Sequence, residues 1–257
     1  MRGDNLSPRS SYPESEQPMP TIPPILPGIH PAPNIQETPD IYEIENHAVD
    51  PDHRIDAAMW AIAPWQSATV LDLGAGTGFH IARFHERAEH VFAVEPHAPS
   101  RLRAMARVVA LGLERASVVT GSAEQIPLAD SSIDIVHARF AYFFAPHCAK
   151  GLPELERVIR PGGTAFIIDN DLRHGTFAAW LQRVPGGYFA DADTVEQWWA
   201  DNGFIQTRIM SRWHFASLAD LAAVIRIEFP PALAEELISE HQSTIVEYGY
   251  CLYHRHY

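Results

Sequence analysis

Val70-Leu71-Asp72-Leu73-Gly74-Ala75-Gly76-Thr77-Gly78-Phe79-His80 is the stretch that decides the fold. An apolar strand runs into three glycines separated by single residues, and a helix can start directly afterwards. Glycine has no Cβ, so this turn can bend sharply and let another group approach the main chain closely. The spacing narrows the ligand. A dinucleotide loop places its glycines at G-x-G-x-x-G, the last for close helix packing beside a pyrophosphate. Here the third glycine comes one residue early, and Phe79 stands where that pattern has Gly. Asp72, just before the loop, would repel a pyrophosphate but could pair with an ammonium group. The pattern points to a nucleoside carrying positive charge and disfavours a nicotinamide dehydrogenase.

Four further segments follow in order. Val91-Phe92-Ala93-Val94 is an apolar run closed by Glu95, 17 residues after Gly78 and close to the spacing of a ribose-binding acid. Gly121-Ser122-Ala123-Glu124-Gln125-Ile126-Pro127-Leu128 is a loop. Ser132-Ile133-Asp134-Ile135-Val136-His137-Ala138-Arg139 reads as a strand and its exit. Glu154 to Thr164 reads as a helix turning through Pro161-Gly162-Gly163 into a strand. With the Asp-x-Gly-x-Gly-x-Gly loop, these segments resemble the class I S-adenosylmethionine-dependent methyltransferases over residues 70–168. The resemblance implies a Rossmann-like, doubly wound α/β fold with seven strands in the order 3-2-1-4-5-7-6, the last antiparallel. It also implies S-adenosyl-L-methionine as cofactor, bound by Asp72, Gly74, Gly76, Gly78, Glu95, Pro96, Ser122, Ala123, Glu124 and His137. Many relatives have Asp where this chain has Ser122; a serine accepts a hydrogen bond from an adenine amino group more weakly.

Composition bounds the acceptor. The chain has 257 residues, 46% of them apolar, enough for one domain with an ordinary core. Its formal net charge is −13, and Lys150 is its single lysine. Nucleic-acid binding needs clustered Lys and Arg, so a DNA or RNA target is disfavoured and a small-molecule methyl acceptor favoured. Cys148 and Cys251 form neither a disulfide framework nor a metal motif, and the 14 histidines are scattered, so no metal is expected. No run reaches membrane-span length and no secretory leader is visible, which gives a cytoplasmic expectation with no membrane partner. The sequence leaves open whether the chain is a homo-oligomer.

Ten of the 21 prolines fall in residues 1–40, where no amphipathic period shows; an extended, disordered Pro-rich tail is expected there, with the methyltransferase domain over 41–257. Asp50 and Pro51 then start a helix carrying Ile55, Ala58, Met59 and Ile62 at helical spacing, stopped by Pro64. Strands are expected near 69–73, 90–95, 116–120, 132–137, 163–169, 204–212 and 245–253. Helices are expected near 78–87, 99–112, 148–159, 175–182, 193–202, 217–229 and 231–241. This alternation specifies a parallel sheet covered on both faces.

In such a sheet the ligand lies beyond the carboxyl ends of the strands. His137 leaves the fourth strand there, and His174 follows the fifth; both are candidate catalytic bases, because an imidazole exchanges protons near neutral pH. Arg139 could clamp a substrate carboxylate. Tyr142, Asp169, Asn170 and Asp171 complete the candidate substrate-binding set. Two other functions remain compatible with the same loop: an aminopropyltransferase-like enzyme, and a non-catalytic S-adenosylmethionine-binding protein.

Overall fold

The computed structural model describes residues 31–187 and 191–257. Its centre is a seven-stranded sheet in the order β3-β2-β1-β4-β5-β7-β6. The strands are β1 (Thr69–Leu73), β2 (His90–Val94), β3 (Ala116–Val119), β4 (Ile133–Arg139), β5 (Ile159–Asn170), β6 (Ile205–His214) and β7 (Ile245–His256). The first five run parallel, and β7 lies antiparallel between β5 and β6. This is the expected order with the last strand reversed. β1 is buried over Val70–Leu73, as a central parallel strand covered on both faces must be.

Helices cover both faces. They are α1 (Pro33–Glu37), α2 (Pro39–Ala48), α3 (Arg54–Ile62), α4 (Ile81–His85), α5 (Ala98–Ala110), α6 (Leu152–Val158), α7 (Gly175–Leu181), α8 (Ala192–Asp201), α9 (Leu218–Glu228) and α10 (Pro231–Glu240). Strand alternation builds two cores. Val70, Ile135, Phe166, Ile168, Tyr250 and Leu252 face a core with Met59, Phe84, Phe177, Trp213 and Ile225. Leu71, Val136, Ala165, Ile167 and Tyr253 face a second core with Leu155, Val158 and Trp199.

The amino-terminal expectation needs correction. Its first thirty residues lie outside the described residues, but from Pro33 the chain is helical rather than extended. Pro33 and Pro39 each open a helix, where a missing N–H costs nothing because the first amides have no intrahelical acceptor. Asp50 does act at the start of α3, though from outside the helix: its carboxylate accepts from the amides of Arg54 (3.2 Å) and Ile55 (2.9 Å).

β1 pairs with β2 on one side and β4 on the other, so connections diverge at the β1–β4 boundary. The crevice at such a divergence is where an open α/β sheet binds ligands. The glycine turn, Glu95 and the β4 exit all leave the sheet there.

Candidate active site

The glycine turn is held by the neighbouring strand. The amides of Gly74 and Ala75 both donate to the Val94 carbonyl, at 2.8 and 3.1 Å. Gly74 and Gly76 have φ of +77° and +54°, a region that side chains with a Cβ enter at a cost. Glu95, at the end of β2, locks the turn from beside it. One carboxylate oxygen accepts from the Gly76 amide (2.8 Å) and the other from the His97 amide (2.7 Å). Burial raises the Glu95 carboxyl above its usual range, opposed by those two amides.

The space around the turn is not open. A side chain on Gly76 would meet Ile35 Cδ1 of α1 at 2.6 Å, and one on Gly74 would strike the Ala141 Cβ. The missing side chains therefore let protein segments close over the turn. The α1–α2 segment forms a strap across it. Asn34 Nδ2 donates to Glu228 Oε1 of α9 at 2.7 Å, while Asp40 and Glu43 pair with Arg103 and Arg107 of α5, each at 2.6 Å. A surface groove of about 880 Å³ lies elsewhere, along α8 and the end of β7, lined by residues such as Trp198, Phe204 and Tyr253.

Asp72 and His137 sit opposite each other in the β1–β4 register. Both are 2% exposed, and His137 Nδ1 lies 2.9 Å from Asp72 Oδ1. Asp72 Oδ2 is buried with no hydrogen-bond partner among the described residues. An orphaned buried acceptor of this kind is costly unless a donor reaches it. His137 packs edge-on to His80 (5.1 Å between ring centres) and against Phe84 (5.0 Å). Burial, reinforced by the Arg139 and His137 charges, drives the His80 imidazole well below its usual range, so His80 is neutral.

The Ser122–Glu124 loop closes on itself through the Ser122 and Gln125 main chains, with Ser122 and Ala123 buried. Burial, and then the charge of Glu124, which hydrogen-bonds it, raise the Tyr142 phenol. The Pro96 carbonyl accepts from Arg101 (3.4 Å). The β4 exit is strained: Phe140 and Tyr142 both have positive φ, +47° and +53°. Non-glycine residues in that region persist only where their surroundings enforce it, and such strain clusters at functional sites.

Strand register divides the remaining candidates. Arg139, Asn170, Tyr248 and Tyr250 share one face. The Tyr248 hydroxyl donates to Asn170 Oδ1, and Tyr248 stacks between Phe177 (4.0 Å) and Tyr250 (4.4 Å). Asp169 and Asp171 point to the other face. Asp169 pairs in register with Cys251, and burial lifts its carboxyl to about 7. Asp171 is consumed by structure: Oδ2 meets Arg208 Nε at 2.8 Å and His174 Nδ1 at 2.9 Å, and Oδ1 accepts the Arg173 amide. Arg208 pairs in register with Cys251, on the opposite face from Tyr250. The structure therefore does not bring Asp171 and His174 together with Arg139, as the sequence reading expected. Sequence reasoning missed Ile35 and Tyr250. A helix-like Ile41, Ile44, Ala48 spacing after Pro39 is the signal that could have found α2. Among the described residues no group of three or more His, Cys, Asp or Glu side chains is arranged to hold a metal ion, and no helix is long and apolar enough to cross a membrane.

Residues 71–167 match a family model described as a methyltransferase domain. An uncharacterized methyltransferase of Mycobacterium tuberculosis is 37% identical over 147 residues, covering 56% of this chain and 56% of the relative. The dimethylglycine N-methyltransferase of Parasynechococcus marenigrum is 36% identical over 126 residues, covering 46% and 43%. The chain spans about half the length of the curated relatives it matches. The YcgJ protein of Bacillus subtilis shares the fold, with a TM-score of 0.57 at 20% identity over 77% of this chain and 95% of that one.

Proposed function

We propose that this protein, whose residues 71–167 match a methyltransferase domain, is a class I S-adenosylmethionine-dependent enzyme that transfers a methyl group from S-adenosyl-L-methionine to an oxygen, nitrogen or carbon atom of a small molecule. The observation that carries this reading is the arrangement of acids around the glycine turn. Glu95 grips the middle amide of the turn, while Asp72 keeps one buried oxygen without a donor.

The residues fit the cofactor. A carboxylate oxygen has two lone pairs, so Glu95 can accept from ribose hydroxyls while it holds the Gly76 and His97 amides. Asp72 Oδ2 supplies an acceptor for an ammonium group. Ser122, Ala123, Glu124 and Pro96 belong to the adenine side, and Gly74 and Gly78 complete the turn. When bound, the cofactor supplies an activated methyl group on a sulfonium. The protein's part is alignment: holding two partners in near-attack geometry is worth up to roughly 7–11 kcal/mol. His137 is nearly inaccessible and paired with Asp72, so its assigned role is to orient that carboxylate rather than to take a proton from an acceptor. The net charge of −13 and the scarcity of lysine support a small acceptor over a nucleic acid.

The test is incubation of the full chain with methyl-labelled S-adenosylmethionine and a small-molecule extract. Label arriving in a metabolite supports the reading. Tight cofactor binding without turnover would make the protein a binding protein. Transfer of the aminopropyl rather than the methyl portion would place it among aminopropyltransferase-like enzymes.

A further inference from the structure

Arg139 ends β4 against two aromatic faces, its guanidinium carbon 5.6 Å from the Phe140 ring centre and 5.8 Å from that of Tyr250. Among the described residues it makes no ion pair, and its Nη2 is buried without a hydrogen-bond partner. A guanidinium cannot shed its proton to escape burial, so the arrangement is costly unless an anion completes it. Two more buried atoms on this side of the sheet are equally bare. The Tyr250 hydroxyl has no partner, and neither has Glu45 Oε2, on a residue 7% exposed. These three belong to β4, β7 and α2, elements that converge only in the folded chain.

Among the carboxyl groups that feel the Arg139 charge, Asp56 is already paired with Arg83 and Glu45 is held in its neutral form. Glu45 hydrogen-bonds Glu228 of α9. Burial, then the Glu228 charge, holds the Glu45 carboxyl well above its usual range, so Glu45 keeps its proton and donates it to Glu228. Glu228 also accepts from Asn34. The other oxygen of Glu45 is then a bare carbonyl acceptor. One side of the sheet thus holds unpartnered donors on Arg139 and Tyr250 and an unpartnered acceptor on Glu45, beside stacked rings.

Resting on the methyltransferase reading, we infer that the methyl acceptor is a small amino or hydroxy acid: its carboxylate docks on Arg139 and the Tyr250 hydroxyl, and its amine or hydroxyl group donates to Glu45 Oε2. Neutral amides and esters of the same skeleton leave the guanidinium unpaired and are rejected.

The experiment uses the full chain saturated with S-adenosylhomocysteine, which occupies the cofactor site but has no methyl group to give. The common α-amino acids and simple α-hydroxy acids, each paired with its primary amide, are screened by thermal shift and the hits titrated by calorimetry. At least one acid is expected to bind, and its amide to bind about ten- to a hundredfold more weakly, the factor for one charged hydrogen-bonding partner. Arg139→Gln should erase that preference while its affinity for S-adenosylhomocysteine stays within about twofold, well under the loss of one charged hydrogen bond. Tyr250→Phe keeps the ring stack and should weaken the acid alone, which supplies a second readout if the Arg139 variant does not fold. The inference is overturned if no acid binds, if acid and amide bind equally, or if Arg139→Gln loses S-adenosylhomocysteine in the same proportion, which would give Arg139 to the cofactor. Failure of the wild type to bind S-adenosylhomocysteine strikes the methyltransferase reading instead; acid-over-amide selectivity in its absence still supports an anion site at Arg139.

Discussion

Glu95→Ala removes a side chain that joins the glycine turn to the end of β2. In the wild type its two oxygens accept the Gly76 and His97 amides at 2.8 and 2.7 Å, in a site only 6% exposed. Alanine leaves both amides buried without an acceptor, at about 1–3 kcal/mol each. Relief from desolvating a carboxylate offsets part of that, giving a net loss of about 2–4 kcal/mol at pH 7. The pH dependence has a definite sign. Burial raises the Glu95 carboxyl, so in the window between the ordinary carboxylate range and its raised value the folded protein holds more protons than the unfolded chain. Wild-type stability therefore falls as pH rises through that window, and the variant lacks this slope. Urea denaturation of both proteins across pH 4 to 8 measures the loss and the slope together. Calorimetry with S-adenosylmethionine should show a further loss of roughly 1.5–3 kcal/mol in binding, the value of charged hydrogen bonds to ribose. A variant as stable as wild type, with unchanged slope and affinity, would refute the reasoning.

Three further outcomes follow from the same geometry. Gly76→Val should destabilise the protein by about 1–2 kcal/mol from backbone conformation alone, because φ is +54°; adding Ile35→Ala should recover the part due to the clash with α1, read by denaturation of the single and double variants. Asp169→Asn should gain stability over wild type as pH rises from the ordinary carboxylate range toward 7 and level off above it, since burial lifts the Asp169 carboxyl to about 7; each unit of that elevation is worth up to about 1.4 kcal/mol, and the difference should vanish in acid. Asp171→Ala leaves the Arg173 amide without its acceptor and takes one partner from Arg208, which keeps Glu196 at 2.9 Å; it should cost about 1–3 kcal/mol in thermal or urea denaturation while leaving S-adenosylmethionine affinity unchanged.

Local features of the sequence carried the sheet. Asp72 to Gly78, Glu95 and the alternation of apolar runs with helical periods each lie within a few residues of one another, and the strands came out in the expected order. The strap was hidden because proline was read as a breaker over residues 1–40, whereas Pro33 and Pro39 open helices. Asp169, Asn170 and Asp171 looked like one cluster because they are consecutive, but a strand sends neighbours to opposite faces. Which face meets Arg139 is set by the pairing of β5 with β4, where Arg139 lies opposite Ile168 and so shares a face with Asn170, and no local pattern encodes that register. Tyr250 was missed for the same reason: it reaches the site only through long-range pairing of β7 with β5.

The most direct measurement is a calorimetric titration of the full chain with S-adenosylmethionine alongside one with NAD. Saturable binding of one S-adenosylmethionine per chain, weakened by Glu95→Ala and absent with NAD, is the expected result. Binding of NAD in preference, or S-adenosylmethionine binding indifferent to Glu95, would contradict the assignment of the glycine turn and its neighbouring acid to a sulfonium nucleoside.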